Sequence, residues 1–243
     1  MMRHYKGALM RTMFAGLCVL AAGSILIQPS WGQTPAPEIW KFERLDKIHG
    51  LPITVVGHPH VIKTPLGKAI QFNGTDDALF IPEHPLAGAS TFTFEAIFRP
   101  ETGGAVEQRW FHLAEQDPKT GKDTDTRFLF EIRVINNQWC LDAFVHTPMV
   151  DKALLFRDKL HSLDVWHRVA MVYDGQEFRS YVDGELQGKA AIHFDPEGPG
   201  HSSVGVRINK VNYFKGSVRE ARFTRRALPP EEFLKLPADK AKP

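Results

Sequence analysis

Two Asp-Gly turns within one β-rich stretch constrain the fold more than any other part of this sequence. The stretch from Trp166 to Gly184 reads WHRVAMVYDGQEFRSYVDG, with β-forming residues before Asp174-Gly175 and again before Asp183-Gly184. Asp-Gly favours tight hairpin turns, because those turns need positive φ angles that match the twist of the flanking strands. The stretch therefore predicts two strands joined by one Asp-Gly turn and closed by another.

Period-two alternation predicts further strands elsewhere in the chain. In Thr91 to Arg99 (TFTFEAIFR) the phenylalanines share one face, and Glu95 lies on the other. Arg127 to Val134 (RFLFEIRV) repeats the pattern, and Asn136-Asn137 turns the chain into Gln138 to His146. Alternation over this length is typical of half-buried strands. These two segments are therefore predicted to form a second hairpin.

Helix signals are confined to the C-terminal end of the sequence. One short helix is predicted after Leu228, where Pro229-Pro230 and two glutamates provide a favourable first turn. Many short strands separated by turn residues, with almost no helix, are typical of an antiparallel β-sandwich or jelly roll. The predicted fold class is all-β.

The N-terminal region differs in composition from the rest. A basic leader precedes the apolar run Met13 to Ile27, and the small residues Ser30 and Gly32 precede Gln33 as they would at a cleavage site. The apolar run is short for a transmembrane helix. We predict a signal peptide at residues 1–32, a linker at 33–38, one jelly-roll domain at 39–237 and a disordered tail at 238–243. After cleavage the protein is expected to lack a membrane span and to be secreted or periplasmic.

Charge and cysteine content exclude some classes of protein. The 30 Lys and Arg residues against 28 Asp and Glu residues give a net charge of +2, which is no footprint for nucleic acid. Removal of residues 1–32 leaves Cys140 as the remaining cysteine, so no internal disulfide is expected. Cys140 lies beside Trp139 in a strand-like run and is predicted to be a buried, unreactive thiol.

Four segments, in order, carry a family resemblance. Gly67 to Gly74, Phe92 to Pro100, Trp166 to Gly184 and Phe214 to Leu228 resemble strands of the laminin G-like jelly roll of the concanavalin A-like lectin/glucanase superfamily. The resemblance covers about residues 65–236 and implies two curved antiparallel sheets with one concave face. Members are often non-catalytic carbohydrate- or protein-binding modules of secreted proteins, and the superfamily also contains glycoside hydrolases and polysaccharide lyases. The fold alone therefore does not assign a function.

Calcium is the cofactor that this resemblance raises, because some family members bind it. Hard cations need several oxygen ligands, and calcium-binding members often use an acidic pair in the closing strand, where this chain has Arg219 and Glu220. Glu220, joined by Glu43 or Asp46, is the candidate metal site. Arg219 would repel the ion.

The sheet face opposite the phenylalanines of Arg127 to Val134 offers a candidate ligand site. The partner strand adds one of two sets of alternate residues to this face. The first set is Trp139, Leu141 and Val145, and the second is Asp142, Phe144 and His146. The second set is the better complement, because aromatic rings stack on sugars while polar groups bind hydroxyls. The candidate ligand-binding residues are Arg127, Glu131, Arg133, Asp142, Phe144, His146 and Trp110. Trp110 can also be interpreted as a core residue. The other six residues can also be interpreted as members of cross-strand ion pairs on a solvated sheet.

Enzymatic cleavage of a carbohydrate is the alternative function. Glycoside hydrolysis needs two carboxylates across the sugar bond, but Glu95 and Glu131 lie on separate predicted strands. Glu131 and His193 faintly resemble motifs of jelly-roll alginate lyases, although Ala191 stands where those enzymes have a glutamine. The sequence therefore favours an exported module that binds a carbohydrate, or an extracellular or envelope protein, without catalysis.

Overall fold

The computed structural model describes residues 35–236, together with residues 1, 2 and 4. Nearly all of the predicted signal peptide, the first two linker positions and the predicted tail lie outside the described residues. Within 35–236 the chain forms eighteen strands and one 3₁₀ turn. In chain order the strands are β1 Glu38–Lys41, β2 Lys47–Ile48, β3 Leu51–Pro52, β4 Thr54–Val56, β5 His60–Thr64, β6 Gly67–Asn73, β7 Ala78–Ile81, β8 Phe92–Pro100, β9 Glu107–Gln116, β10 Asp123–Ile135, β11 Gln138–Thr147, β12 Val150–Leu155, β13 His161–Ser162, β14 His167–Tyr173, β15 Glu177–Val182, β16 Glu185–Ala191, β17 Gly200–Val204 and β18 Lys215–Thr224. Among the described residues, no helix is long and apolar enough to cross a membrane.

Two eight-stranded antiparallel sheets form a sandwich, which confirms the predicted fold class. Sheet 1 has the order β16-β15-β14-β8-β18-β6-β5, with β1 paired to β18. Sheet 2 has the order β12-β11-β10-β9-β17-β7-β4, with β13 paired to β11. The strands β2 and β3 form a separate hairpin. The inward faces of both sheets contribute to one continuous hydrophobic core.

The predicted hairpins are confirmed, and two of their turns have the positive φ angles that the sequence indicates. The link from β14 to β15 is longer, with three residues from Asp174 to Gln176, of which Gly175 alone has a positive φ, of 93°. Asp183 and Gly184 have φ values of 53° and 90° in the two-residue link between β15 and β16. Asn136 and Asn137, with φ values of 49° and 59°, link β10 to β11 in the same way. Tight links of this kind hold the register of the strands that follow them.

A β-bulge in β9 turns Trp110 into the core. Phe111 of β9 lies opposite Phe130 of β10, but the next residue of β10, Glu131, lies opposite Arg109. Trp110 is therefore an extra residue in β9. Its fully buried ring stacks on Phe98 at 4.2 Å and on Phe130 at 5.4 Å between ring centroids. The prediction that Trp110 binds ligand is therefore wrong, and its interpretation as a core residue is correct.

The C-terminal segment packs on the outer face of sheet 1. The predicted short helix is a single 3₁₀ turn, Pro230–Glu232. The next residue, Phe233, is buried with its ring edge against Tyr181 at 5.1 Å between centroids. Leu228 joins the same apolar cluster.

Glu95 is buried beneath this C-terminal segment. Its carboxylate accepts hydrogen bonds from the backbone N–H of Leu234 and from Nε of Arg222, both at 2.6 Å, and burial raises its pKa. Glu95 therefore does not line an open sheet face with Glu131, which belongs to sheet 2. The alternation in β8 predicts that Glu95 faces away from the core. It does not predict that the C-terminal segment, far away in the sequence, covers this face.

Candidate ligand site on the outer face of sheet 2

The register between β10 and β11 decides which residues share the outer face of sheet 2. Glu131 lies opposite Asp142, and Leu129 lies opposite Phe144. Trp139 and the alternate residues after it belong to the hydrophobic core. Of the two sets that the sequence left open, the one beginning at Asp142 therefore faces outward.

This face contains a shallow depression of about 260 Å³, which we call the sheet 2 depression. Strands β9 to β12 form its floor, and the loop after β17 forms one side. Its lining residues are Arg109, Arg127, Leu129, Glu131, Arg133, Asp142, Phe144, Ala153, Leu155 and Arg207. Five of the seven predicted ligand-binding residues are thus brought together.

Two carboxylates and two arginines form an ion-pair network in the depression. Nη2 of Arg133 lies 2.9 Å from Oε2 of Glu131 and 2.7 Å from Oδ2 of Asp142. Nε of Arg109 lies 3.0 Å from the other oxygen of Glu131. Except for Arg109, which is half-buried, these side chains are buried. Charges this deep are tolerated because each has an opposite partner, and removing one partner would leave the other uncompensated.

Asp142 is the titratable group of this network. Burial, and then the charge of Glu131, raise its pKa to about 6. Its Oδ1 atom is buried and has no hydrogen-bond partner among the described residues. The carboxyl therefore changes charge near neutral pH inside the depression.

Arg127, Phe144 and His146 continue the outer face away from the ion pairs. The guanidinium of Arg127 lies 5.3 Å from the centroid of the Phe144 ring. The rings of Phe144 and His146 are nearly parallel, with centroids 6.3 Å apart. Nδ1 of His146 lies 3.6 Å from Asp151, and His146 is outside the lining of the depression.

Two lining arginines were missed by the sequence argument. Arg109 precedes the bulge at Trp110, which interrupts the alternation of its strand and hides the face on which Arg109 lies. Arg207 follows β17 in a loop, where periodicity carries no information. Both arginines lie near the end of a strand, and this position is a sequence signal that could have identified them as candidates. It does not indicate that they lie in the same depression as Glu131.

The candidate calcium residues share a depression with three cationic side chains. Glu43 and Glu220 are accompanied there by Lys41, Lys68 and Arg219, and Nη1 of Arg219 lies 2.8 Å from Glu220. In the described part of the chain, no group of three or more His, Cys, Asp or Glu side chains is arranged to hold a metal ion. Two carboxylates among three cations do not fit Ca²⁺, which takes six to eight oxygen ligands.

The remaining predicted side chains lie apart from this site. Nδ1 of His193 lies 3.4 Å from the hydroxyl of Tyr173 in sheet 1, so the structure does not join it to Glu131 as a lyase pair. Cys140 is buried, as predicted. Burial raises the pKa of its thiol, which disfavours the reactive thiolate.

The sequence of this chain matches a family model. The model is that of the concanavalin A-like lectin/glucanases superfamily, of laminin G type, and it matches residues 73–233, more than half of the chain. The chain belongs to this family. The four ordered segments that predicted the resemblance thus identified the superfamily correctly, and the sandwich of two antiparallel sheets agrees with it. A comparison with curated proteins found no match.

Several solved structures share the fold of this chain at low sequence identity. Domain 4 of AbnA, a GH43 extracellular arabinanase from Geobacillus stearothermophilus in complex with arabinotriose, is 18% identical with a TM-score of 0.54, covering 88% of this chain and 91% of that one. The receptor binding domain of botulinum neurotoxin D is 12% identical with a TM-score of 0.59, covering 81% and 50%. A pentraxin from Limulus polyphemus is 16% identical with a TM-score of 0.51, covering 68% and 78%. At these identities the likeness shows the fold alone.

Proposed function

We propose that this protein is an exported, non-catalytic module that binds carbohydrate in the sheet 2 depression. The observation that carries the proposal is the composition of that depression. Phe144 and Leu155 supply apolar surface beside charged hydrogen-bonding groups that converge on one small volume. This combination is typical of small-molecule sites.

The size and shape of the depression support binding of a short part of a sugar chain. Its volume of about 260 Å³ is just below the usual range of about 300–1,000 Å³ for ligand pockets. It is open to solvent, so the rest of an oligosaccharide can continue beyond it. The AbnA domain, which resembles this chain in fold, was solved with arabinotriose, and this supports a carbohydrate rather than another small molecule.

The ion pairs favour binding over catalysis. A catalytic carboxylate must exchange a proton with the substrate or attack it. Arg133 holds oxygens of both Glu131 and Asp142, and Arg109 holds the second oxygen of Glu131. These contacts orient the carboxylates toward arginines of the protein.

One observation favours enzymatic cleavage as a second candidate function. Asp142, with its pKa raised to about 6, lies opposite Glu131, and a carboxyl group with a raised pKa beside a second carboxyl group is the arrangement expected of a general acid. Incubation with a polysaccharide panel, followed by assays for new reducing ends and for unsaturated uronates, tests this function. Product formation that is lost in Glu131→Gln would overturn the non-catalytic proposal.

The binding test compares two phenylalanines. We expect a panel of oligosaccharides, measured by calorimetry, to contain a ligand whose affinity falls about tenfold in Phe144→Ala through the loss of apolar contact. Phe156→Ala is the control, because Phe156 is exposed and outside the depression. Equal affinities of Phe144→Ala and the wild-type protein would contradict the assigned site, and a panel without any ligand would contradict the function.

Export is proposed from residues 1–32, whose basic leader and apolar run are typical of a signal peptide. We expect the mature protein recovered from the periplasm or medium of an expressing cell to begin at Gln33. N-terminal sequencing checks this. An intact N-terminus on the recovered protein would contradict cleavage.

A further inference from the structure

Two arginines of the sheet 2 depression lack the partners that the other two have. Arg127 donates from Nη1 to the backbone carbonyl of Asp125 at 2.5 Å, and the carboxylate of Asp125 is 3.9 Å away on a side chain that is 95% exposed. The Nε atoms of Arg127 and Arg207 are buried and have no acceptor in the part of the chain that the structure describes. A guanidinium that is partly buried without an acceptor is costly, because it has lost water and gained no hydrogen bond.

Arginines outnumber carboxylates in the lining of the depression, although Glu107 outside the lining lies 3.5 Å from Nε of Arg133 and 3.9 Å from Nη2 of Arg109. The lining contains four arginines but only two carboxylates, Glu131 and Asp142. Burial, followed by repulsion from Arg127 and Arg109, lowers the pKa of Arg207. Burial also lowers the pKa of Arg127, and Arg109 contributes to that shift. The guanidinium groups are therefore close enough to repel one another, and although Glu131 attracts both Arg127 and Arg207, neither forms a salt bridge with a carboxylate of the lining.

We infer that the ligand is an acidic glycan, and that a carboxylate or sulfate on the sugar binds between Arg127 and Arg207. This inference rests on the proposed carbohydrate-binding function and specifies its substrate class. Because the Nε atoms are buried, an anionic oxygen would accept hydrogen bonds from the Nη groups of these arginines. Charge-assisted hydrogen bonds from arginine are stronger than those between neutral groups. A neutral sugar would bring no negative charge to Arg127 and Arg207.

The apolar part of the lining fixes the remaining orientation. Phe144 and Leu129 lie opposite each other on neighbouring strands, on the same face as Arg127. Since Leu129 is buried, a sugar ring whose anionic group reaches the arginines would place its carbon-rich side against Phe144. The ion-paired Glu131 and Arg133 lie further along the same strand and can contact the hydroxyls of the next unit.

Matched pairs of oligosaccharides test the inference. The probes are oligogalacturonate and its methyl ester, and heparin oligosaccharide and its desulfated form, measured by calorimetry at low salt. We expect at least one acidic member to bind at least tenfold more tightly than its neutral partner, and added salt to weaken that binding. Arg127→Gln and Arg207→Gln should each lower the affinity for the acidic member about tenfold and leave the neutral partner within about twofold.

The control removes a positive charge elsewhere. Lys189 is an exposed residue of β16 in sheet 1. We therefore expect the Lys189→Gln variant to bind the acidic probe as tightly as the wild-type protein does. An equal loss in Lys189→Gln and Arg207→Gln would overturn the assigned position in favour of unspecific charge attraction. Thermal melts verify that each variant folds, and Arg207→Lys, which keeps the charge without the planar fork, should recover part of the affinity.

The results separate this inference from the proposed function. Binding of neutral and acidic members with equal affinity would overturn the acidic specificity and retain carbohydrate binding. Binding of neither class would overturn both. Loss of binding in Phe144→Ala, together with full binding in both arginine variants, would retain the depression as the site and overturn the role of the arginines.

Discussion

Oδ2 of Asp142 lies 2.7 Å from Nη2 of Arg133, while the other oxygen of this carboxyl, Oδ1, is buried without a hydrogen-bond partner among the described residues. The charge on Oδ2 is thus compensated by an arginine. Oδ1 has lost its hydration and has gained no hydrogen bond in exchange. This division explains why the pKa rises to about 6 although a cation is in direct contact. The desolvation of a buried carboxyl outweighs its single ion pair.

Asp142→Asn should change how stability depends on pH. Because the folded-state pKa of Asp142 is raised from 3.8 to about 6, ionisation opposes folding, and its contribution to the free energy of unfolding falls as pH rises from about 4 to about 6. The stability of Asp142→Asn relative to the wild-type protein should therefore increase by about 2 kcal/mol between pH 4 and pH 7. Urea denaturation at both pH values measures the difference. A difference that is the same at both would contradict the raised pKa.

Glu197→Gln should be tolerated where Glu197→Ala is not. Glu197 and His84 are fully buried, with Oε2 2.8 Å from Nε2, and burial raises the pKa of Glu197 well above its usual range and lowers that of His84 to about 4. Both shifts favour the neutral forms, between which the contact is a hydrogen bond that a glutamine amide can also make. We expect a loss of less than about 1 kcal/mol in Glu197→Gln and about 2–4 kcal/mol in Glu197→Ala.

Chemical denaturation at pH 7 checks this pair of variants. Asp195→Asn, an exposed change in the same segment, serves as the control and should stay within about 0.5 kcal/mol of the wild-type protein. A large loss in Glu197→Gln, equal to that in Glu197→Ala, would show that the buried pair is ionised.

Trp110→Ala should destabilise the fold far more than His146→Ala. Trp110 is fully buried between Phe98 and Phe130, so its truncation should lower the free energy of unfolding by about 3–5 kcal/mol. His146 is half-buried at the edge of the outer face, and its truncation should cost less than about 1 kcal/mol. Denaturant midpoints measure both. Similar small effects would place Trp110 outside the core.

Phe233→Ala should loosen the cover on sheet 1. Phe233 is buried against Tyr181, and we expect its truncation to cost about 3 kcal/mol. Hydrogen exchange should also accelerate at the backbone N–H of Leu234, which is bonded to Glu95. Lys235→Ala, an exposed neighbour, is the control and should leave both measurements unchanged.

Local sequence patterns predicted the strands and their hairpins because the determinants are short-range. Asp183-Gly184 and Asn136-Asn137 adopt the positive φ angles of tight turns, and the phenylalanines of β8 and β10 enter the core as their alternation predicts. Four ordered motifs then gave the superfamily. Neighbouring residues carry these preferences whatever the rest of the chain does.

The candidate site depended on relationships between distant residues. Alternation assigned Arg127 and Glu131 to an outer face, but only the register of β10 with β11 placed Asp142 rather than Trp139 beside them. Period-two alternation defines two faces and does not say which one is inside.

By itself, the sequence determined strand β8, the hairpins β10–β11 and β14–β15 and the all-β class, since these depend on backbone preference and on the spacing of apolar residues. Tertiary structure alone decided that a bulge buries Trp110, that the C-terminal segment covers Glu95, and that the loop carrying Arg207 reaches the same depression as Arg127. Each of these outcomes is a contact between segments far apart in the chain. Such contacts are selected by packing and charge in the assembled sandwich, which no local pattern records.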